Sequence, residues 1–146
     1  MGGIGAASYL WLRSQLRFIT YGSLSIPFQQ LKDGRINLGL RLPIINASAL
    51  TANVTGFTGF IVTPSGAPIA TVVLAKPTKV ARFQESNLEF RASIGLSDLL
   101  SEAGSIILGG SLPTDVGQVS AYLKNYKLRG QLRIFGIPVP LEMPLL

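Results

Sequence analysis

Between residues 36 and 44 the chain alternates with a period of two. Ile36, Leu38, Leu40, Leu42 and Ile44 are apolar, and Asn37, Gly39, Arg41 and Pro43 fall between them. Successive side chains of an extended strand point to opposite faces, so the pattern predicts a strand with one face in a core and the other in solvent. The same rhythm returns at 88–94, where Leu88, Phe90, Ala92 and Ile94 alternate with Glu89, Arg91 and Ser93. Two such segments call for a half-buried sheet of the antiparallel kind.

The rest of the chain supplies its partners. Leu24, Ile26 and Phe28 alternate with Ser23, Ser25 and Pro27, and Lys32-Asp33-Gly34 then predicts a hairpin turn in which glycine supplies a positive φ. Further strands are expected at 54–62 and 69–75, separated by a turn over 63–68 that Pro64 and Gly66 punctuate and ended by Lys76-Pro77-Thr78-Lys79. At 97–104 the rhythm changes to that of a short helix, capped by Ser97 and closed by Gly104, with 106–108 extending it or packing beneath it. A long strand is expected over 121–135, then a turn over 136–140 and a last segment over 141–146. Pro43 predicts a sheet edge or bulge near Arg41 and Pro43, where a missing N–H is tolerated. Asn46 predicts the turn that ends this strand. Short strands with Gly/Pro turns and one small helix predict an all-β fold, an antiparallel β-sandwich over 22–146 behind an N-terminal helical extension over 1–21.

The order of these elements resembles the late embryogenesis abundant group 2 family, also called the water stress and hypersensitive response domain. An opening strand closes on an Asn-containing turn, a small Leu-rich helix follows later, and YLKNYKLRGQLRIFGIPVPLEMPL comes last. The likeness spans nearly all of 22–146. It implies an immunoglobulin- or fibronectin-like sandwich and an accessory, stress-protective or membrane-tethered role, with no catalytic residues to carry over. The family closes its first long strand with Asn-Pro. Here Asn46 matches and Ala47 stands in the proline's place, so the turn is expected to rest on an Asx bond from the Asn46 side chain.

Composition narrows the chemistry. The sequence holds no histidine and no cysteine, which removes Ser-His-Asp catalysis, His-based zinc sites, thiol nucleophiles and disulfides. Thirteen Lys and Arg face seven acids, for a net charge of +6. The basic residues are spread thinly instead of forming one stripe, so nucleic acid is not the expected partner. Mean hydropathy is +0.41, which suits a chain held against a membrane or inside an assembly. Asp98 and Glu102, four apart on the expected helix, read as a solvated face and not as a metal pair. Glu85 and Glu89 are expected to pair with Arg82 or Arg91. Neither Gly2-Gly3-Ile4-Gly5 nor Gly109-Gly110-Ser111 has the lysine or flanking elements of a phosphate loop. Tyr122, Lys124 and Tyr126 would share one strand face and read as sheet surface. No enzyme, cofactor or metal is expected.

Residues 1–21 carry the one candidate site. The apolar run 2–12 is shorter than the roughly 20 residues a spanning helix needs, and its arginines, Arg13 and Arg17, follow it where a secretory signal would place positive charge first. On a helix, Leu12, Leu16 and Ile19 share a face, with Tyr9 and Trp11 beside them as interfacial aromatics and Arg13 and Arg17 able to snorkel to phosphates. This set predicts contact with membrane lipid or with a neighbouring protein subunit; packing on the domain's own core is the third reading. The function expected is a non-enzymatic accessory or binding module associated with a membrane. The alternative is a structural subunit of a larger assembly, such as a virion or envelope complex, docked through the same segment, with oligomerisation left open.

Overall fold

The computed structural model describes residues 6–95, 97–98 and 123–145. A helix, α1 (Ala6–Gln15), passes through a 3-10 turn (Leu16–Phe18) into nine strands: β1 (Ile19–Tyr21), β2 (Ser25–Lys32), β3 (Arg35–Asn46), β4 (Ala52–Val62), β5 (Pro68–Leu74), β6 (Thr78–Val80), β7 (Gln84–Gly95), β8 (Lys127–Ile134) and β9 (Ile137–Pro144). Every pairing is antiparallel. The strands form one sheet in the order β1-β3-β7-β5-β4-β8-β9, with β2 sharing the outer edge of β3 with β1, and β6 on β4.

A lone sheet with a fully apolar face must curl to hide it, and β5 is where this one bends. Its residues pair with β4 over 58–62 and with β7 over only 90–92, so β5 hands the sheet from one leaf to the other. The inner faces of the leaves meet across the half-barrel. Phe57 of β4 packs edge-on against Phe90 of β7, with ring centroids 5.0 Å apart and planes at 71°, a preferred aromatic geometry. Ile36, Leu40, Leu42, Ile44, Leu88, Ile94, Leu128, Leu132 and Ile134 are buried around them, as the alternation at 36–44 and 88–94 requires.

Two local departures have physical causes. The inward pattern of β4 runs Ala52, Val54 and then Phe57 and Ile61, because a bulge between Val54 and Gly56 in its pairing with β8 adds one residue and switches the parity. The Phe57 ring then lies over two glycines that face each other, Gly59 and Gly130; a Cβ at Gly59 would come within 2.5 Å of Phe57 Cζ. Pro43 is not at the sheet edge, since β3 has neighbours on both sides, but a bulge does lie beside Arg41, in β2 between Ser25 and Phe28. Pro43 faces the break between β1 and β2, where its carbonyl accepts the Gly22 N–H at 2.9 Å.

The C-terminal half corrects several expectations. The turn expected over 136–140 is only Phe135-Gly136, both at positive φ (54° and 74°), matching Asp33-Gly34 (53° and 73°). Both are two-residue hairpins of the kind whose twist suits flanking strands, so β9 begins at once with Ile137. The segment 76–79 interrupts β5 but re-enters the sheet at Thr78 as β6. The long strand expected over 121–135 starts only at Lys127, because Asn125 adopts φ 69° and the Tyr126 N–H returns to the Leu123 carbonyl. Lys124 and Tyr126 therefore share no strand face, and Tyr126 is buried. Ser97 and Asp98 are helical; the remainder of the expected helix, with 106–108 and Tyr122, lies outside the described residues.

Candidate functional site: the α1 end of the sheet

β3 runs toward one end of the sheet and finishes there at Asn46, which pairs with Ile19 of β1 on one side and Gln84 of β7 on the other. Asn46 is fully buried. Its Oδ1 accepts the Ser48 N–H at 3.0 Å and the Ser48 hydroxyl at 2.6 Å, which is the Asx turn expected from the sequence. Its amide nitrogen donates to the carbonyls of Leu50 (2.7 Å), Val80 (2.8 Å) and Ala81 (3.3 Å). One side chain thus ties the loop after β3 to the turn between β6 and β7. No proline at 47 is needed for this, because the bonds come from Asn46 itself.

Two elements leave the sheet at this end. The first is α1 with its 3-10 turn, joined to the loop by bonds from the Ala47 N–H to the Phe18 carbonyl (3.0 Å) and from the Ala49 N–H to Gln15 Oε1 (3.4 Å). On α1, Tyr9, Leu10 and Trp11 are 42%, 63% and 50% exposed, and Arg13 is exposed beside them with its guanidinium 3.4 Å from the Tyr9 hydroxyl. Arg17 lies over the exposed Phe18 ring, 4.8 Å from its centroid. The second element is the turn 81–84, closed by the Gln84 N–H to the Ala81 carbonyl at 3.1 Å. At its tip Phe83 takes φ 57°, a left-handed conformation that costs a residue with a Cβ about 1–2 kcal/mol, and it is 67% exposed. Arg82 and Lys79 are exposed next to it, and Glu85, one residue into β7, is the nearest acid along the chain.

Of the seven residues marked in the sequence, Tyr9, Trp11, Arg13 and Arg17 stand exposed, while Leu12 and Leu16 are half-buried, Leu16 against the core. Ile19 leaves the set. The chain turns extended after Phe18, and Ile19 is 8% exposed on β1 inside the core. The sheet therefore begins at residue 19, inside the extension expected over 1–21. Leu10, Phe18 and Phe83 join the surface. Nothing periodic marks them, since they are defined by exposure and not by a shared helix face.

The outer face of the sheet offers a second surface. Phe28, Gly39, Arg91 and Val73 form one row across β2, β3, β7 and β5, flooring an open cavity of about 790 Å³. Glu89 pairs with Arg41 directly across the β3–β7 ladder at 3.2 Å, and not with Arg91 as expected, because Arg91 sits one cross-strand row further along. Gln30, Asn37, Ser93 and Arg35 are hydrogen-bonded to one another alongside. On β9, the hydrogen bond from Arg129, with Lys127 nearby, holds the Glu142 carboxyl below the usual carboxylate range. These polar groups satisfy one another.

No family model matches the chain, and no curated protein matches it. Among solved structures it is similar to the crystal structure of a protein from Archaeoglobus fulgidus, at 14% identity and a TM-score of 0.55, over 85% of this chain and 91% of that one. The likeness is one of fold.

Proposed function

We propose that this protein is a non-enzymatic accessory module of the late embryogenesis abundant group 2 type, its curled sheet an immunoglobulin- or fibronectin-like sandwich, that associates with a membrane surface through α1. The observation that carries this reading is the exposure of Tyr9, Leu10 and Trp11 on a ten-residue helix flanked by exposed Arg13 and Arg17. Aromatic and aliphatic side chains bury at the headgroup boundary while arginines reach phosphates, and two such basic groups add roughly 1 kcal/mol each near an anionic surface. No helix of the described residues is long and apolar enough to cross a bilayer, so the contact proposed is interfacial.

Trp11 is the chain's single tryptophan and reports directly. Vesicles of mixed phosphatidylserine and phosphatidylcholine are expected to blue-shift its emission and carry the full chain upward in flotation, less so in high salt. Absence of both effects, together with defined oligomers in size-exclusion chromatography, would instead favour a subunit of a larger assembly.

A further inference from the structure

We infer that the turn 81–84 is a second membrane-contacting element, Phe83 inserting at the headgroup boundary of an anionic bilayer while Arg82 and Lys79 meet its phosphates. This inference rests on the membrane reading of α1 and extends it to a part of the chain far away in sequence. Among the described residues Phe83 is the most exposed large apolar side chain, and it occupies a left-handed backbone position where glycine or asparagine would sit without strain. A ring two-thirds exposed adds little to the core, and the left-handed backbone costs stability. The turn is nevertheless held firmly, by its own hydrogen bond and by the Asn46 amide on the Val80 and Ala81 carbonyls. A strained, exposed aromatic on a fixed turn is what a preorganised contact requires.

Placement supports the same partner. β1, β3 and β7 are consecutive in the sheet, and Phe18 and Phe83 directly precede the paired ends of β1 and β7. The two lie about 10 Å apart, two strand spacings. The basic residues at this end, Arg17, Lys79 and Arg82, complement an anionic surface. Two contacts on separate elements, unlike one helix on a short tether, fix orientation: the strands of β3 and β7 would stand toward the membrane normal.

The test uses the full chain and vesicles containing phosphatidylserine. Phe83→Gly removes the ring and relieves the backbone, so its thermal midpoint is expected to equal or exceed that of the parent. Its vesicle partitioning is expected to fall about tenfold or more, the value of burying one such side chain. Loss of affinity without loss of stability is the signature a purely structural Phe83 would not give. In a Trp11→Phe, Phe83→Trp double variant, the emission of the new tryptophan should blue-shift and be quenched by brominated lipid. Unchanged partitioning of Phe83→Gly, with Trp11 still shifting in that variant, overturns the inference and leaves the α1 reading intact. A parent chain that neither floats nor shifts overturns both. Oligomers that Phe83→Gly disperses, without flotation, would make the turn a contact between copies and overturn it as well.

Discussion

Removing the Asn46 side chain is the most incisive perturbation of this fold. In Asn46→Ala, five hydrogen bonds disappear, but they do not count equally. The Ser48 hydroxyl already lies 3.0 Å from the Leu50 carbonyl and can satisfy it, and Ala81 is exposed enough for water to serve its carbonyl. The Val80 carbonyl and the Ser48 N–H belong to residues only 1% exposed and are left stranded. At about 1–2 kcal/mol for each stranded group the loss comes to roughly 2–4 kcal/mol, a large share of a typical domain's stability. Urea unfolding followed by far-UV circular dichroism measures it, with the slope unchanged. Asn46→Asp discriminates further: it keeps the acceptor and loses the donor, placing a carboxylate against the Leu50 and Val80 carbonyls. Such a group has its folded pKa raised above the unfolded value of about 3.9. The stability of Asn46→Asp should therefore be greatest at acid pH and decline as pH rises through the raised value. A loss below about 1 kcal/mol in Asn46→Ala, or a pH-independent Asn46→Asp, would refute the clamp.

Gly59→Ala puts a Cβ within 2.5 Å of both the Arg129 carbonyl and the Phe57 ring, so a loss of at least about 2 kcal/mol is expected by thermal unfolding, and an unshifted midpoint would contradict the packing. Burial pushes the Tyr21 phenol up to about 12; the neutral form is the one the fold favours, so stability holds below pH 10 and is lost as pH rises toward 12. At pH 11 the loss is about 1.4 kcal/mol; Tyr21→Phe should lack it, and identical alkaline profiles for the two proteins would dismiss the effect. Replacing Pro138, Pro140 and Pro144 together by threonine should add concentration-dependent association beyond that of the parent chain in light scattering, and a variant that scatters like the parent would count against a protective role of these prolines.

What the sequence made legible was periodicity. β3 and β7 could be read because their inward residues never miss a beat from Ile36 to Ile44 or from Leu88 to Ile94. β4 was legible as a strand over 54–62 but not in which residues face inward: its bulge changes parity between Val54 and Phe57, and one extra residue is invisible without its partner strand. The turn residues carried partial information. Gly34 and Asn46 announced what they do, whereas Asn125 ended a strand that apolar content alone had extended to 121. At the α1 end, helical spacing drew Ile19 into a face it never joins, because the spacing of Leu12, Leu16 and Ile19 persists after the backbone turns extended. Phe83 left no periodic trace at all; its exposure follows from Asn46 holding the turn on which it sits.

β9 shows how an edge can be written in plain sight and still be misread. IPVPLEMP looks like a turn because it is rich in proline, yet the prolines fall on alternate positions. The two-residue hairpin makes Ile134 and Ile137 a hydrogen-bonded pair, so the N–H groups of residues 137, 139, 141 and 143 face β8 and those of 138, 140, 142 and 144 face away. Three of these four outward positions are proline, and no strand among the described residues pairs with that edge. It presents carbonyls and almost no donors, which deters the addition of another strand. Along the opposite edge, β2 carries its own proline, Pro27, beside a bulge. With lateral pairing opposed along β9 and beside Pro27, and with several polar groups of the outer face bonded to one another, the end of the sheet is the more apolar of the two surfaces open to a partner. Among the described residues, six of the nine exposed large apolar side chains gather there: Tyr9, Leu10, Trp11, Phe18, Ile45 and Phe83. The other three, Phe28, Phe60 and Val73, lie on the outer face, two of them in one row with Arg91, so the end of the sheet carries the larger share of the apolar groups a partner would meet.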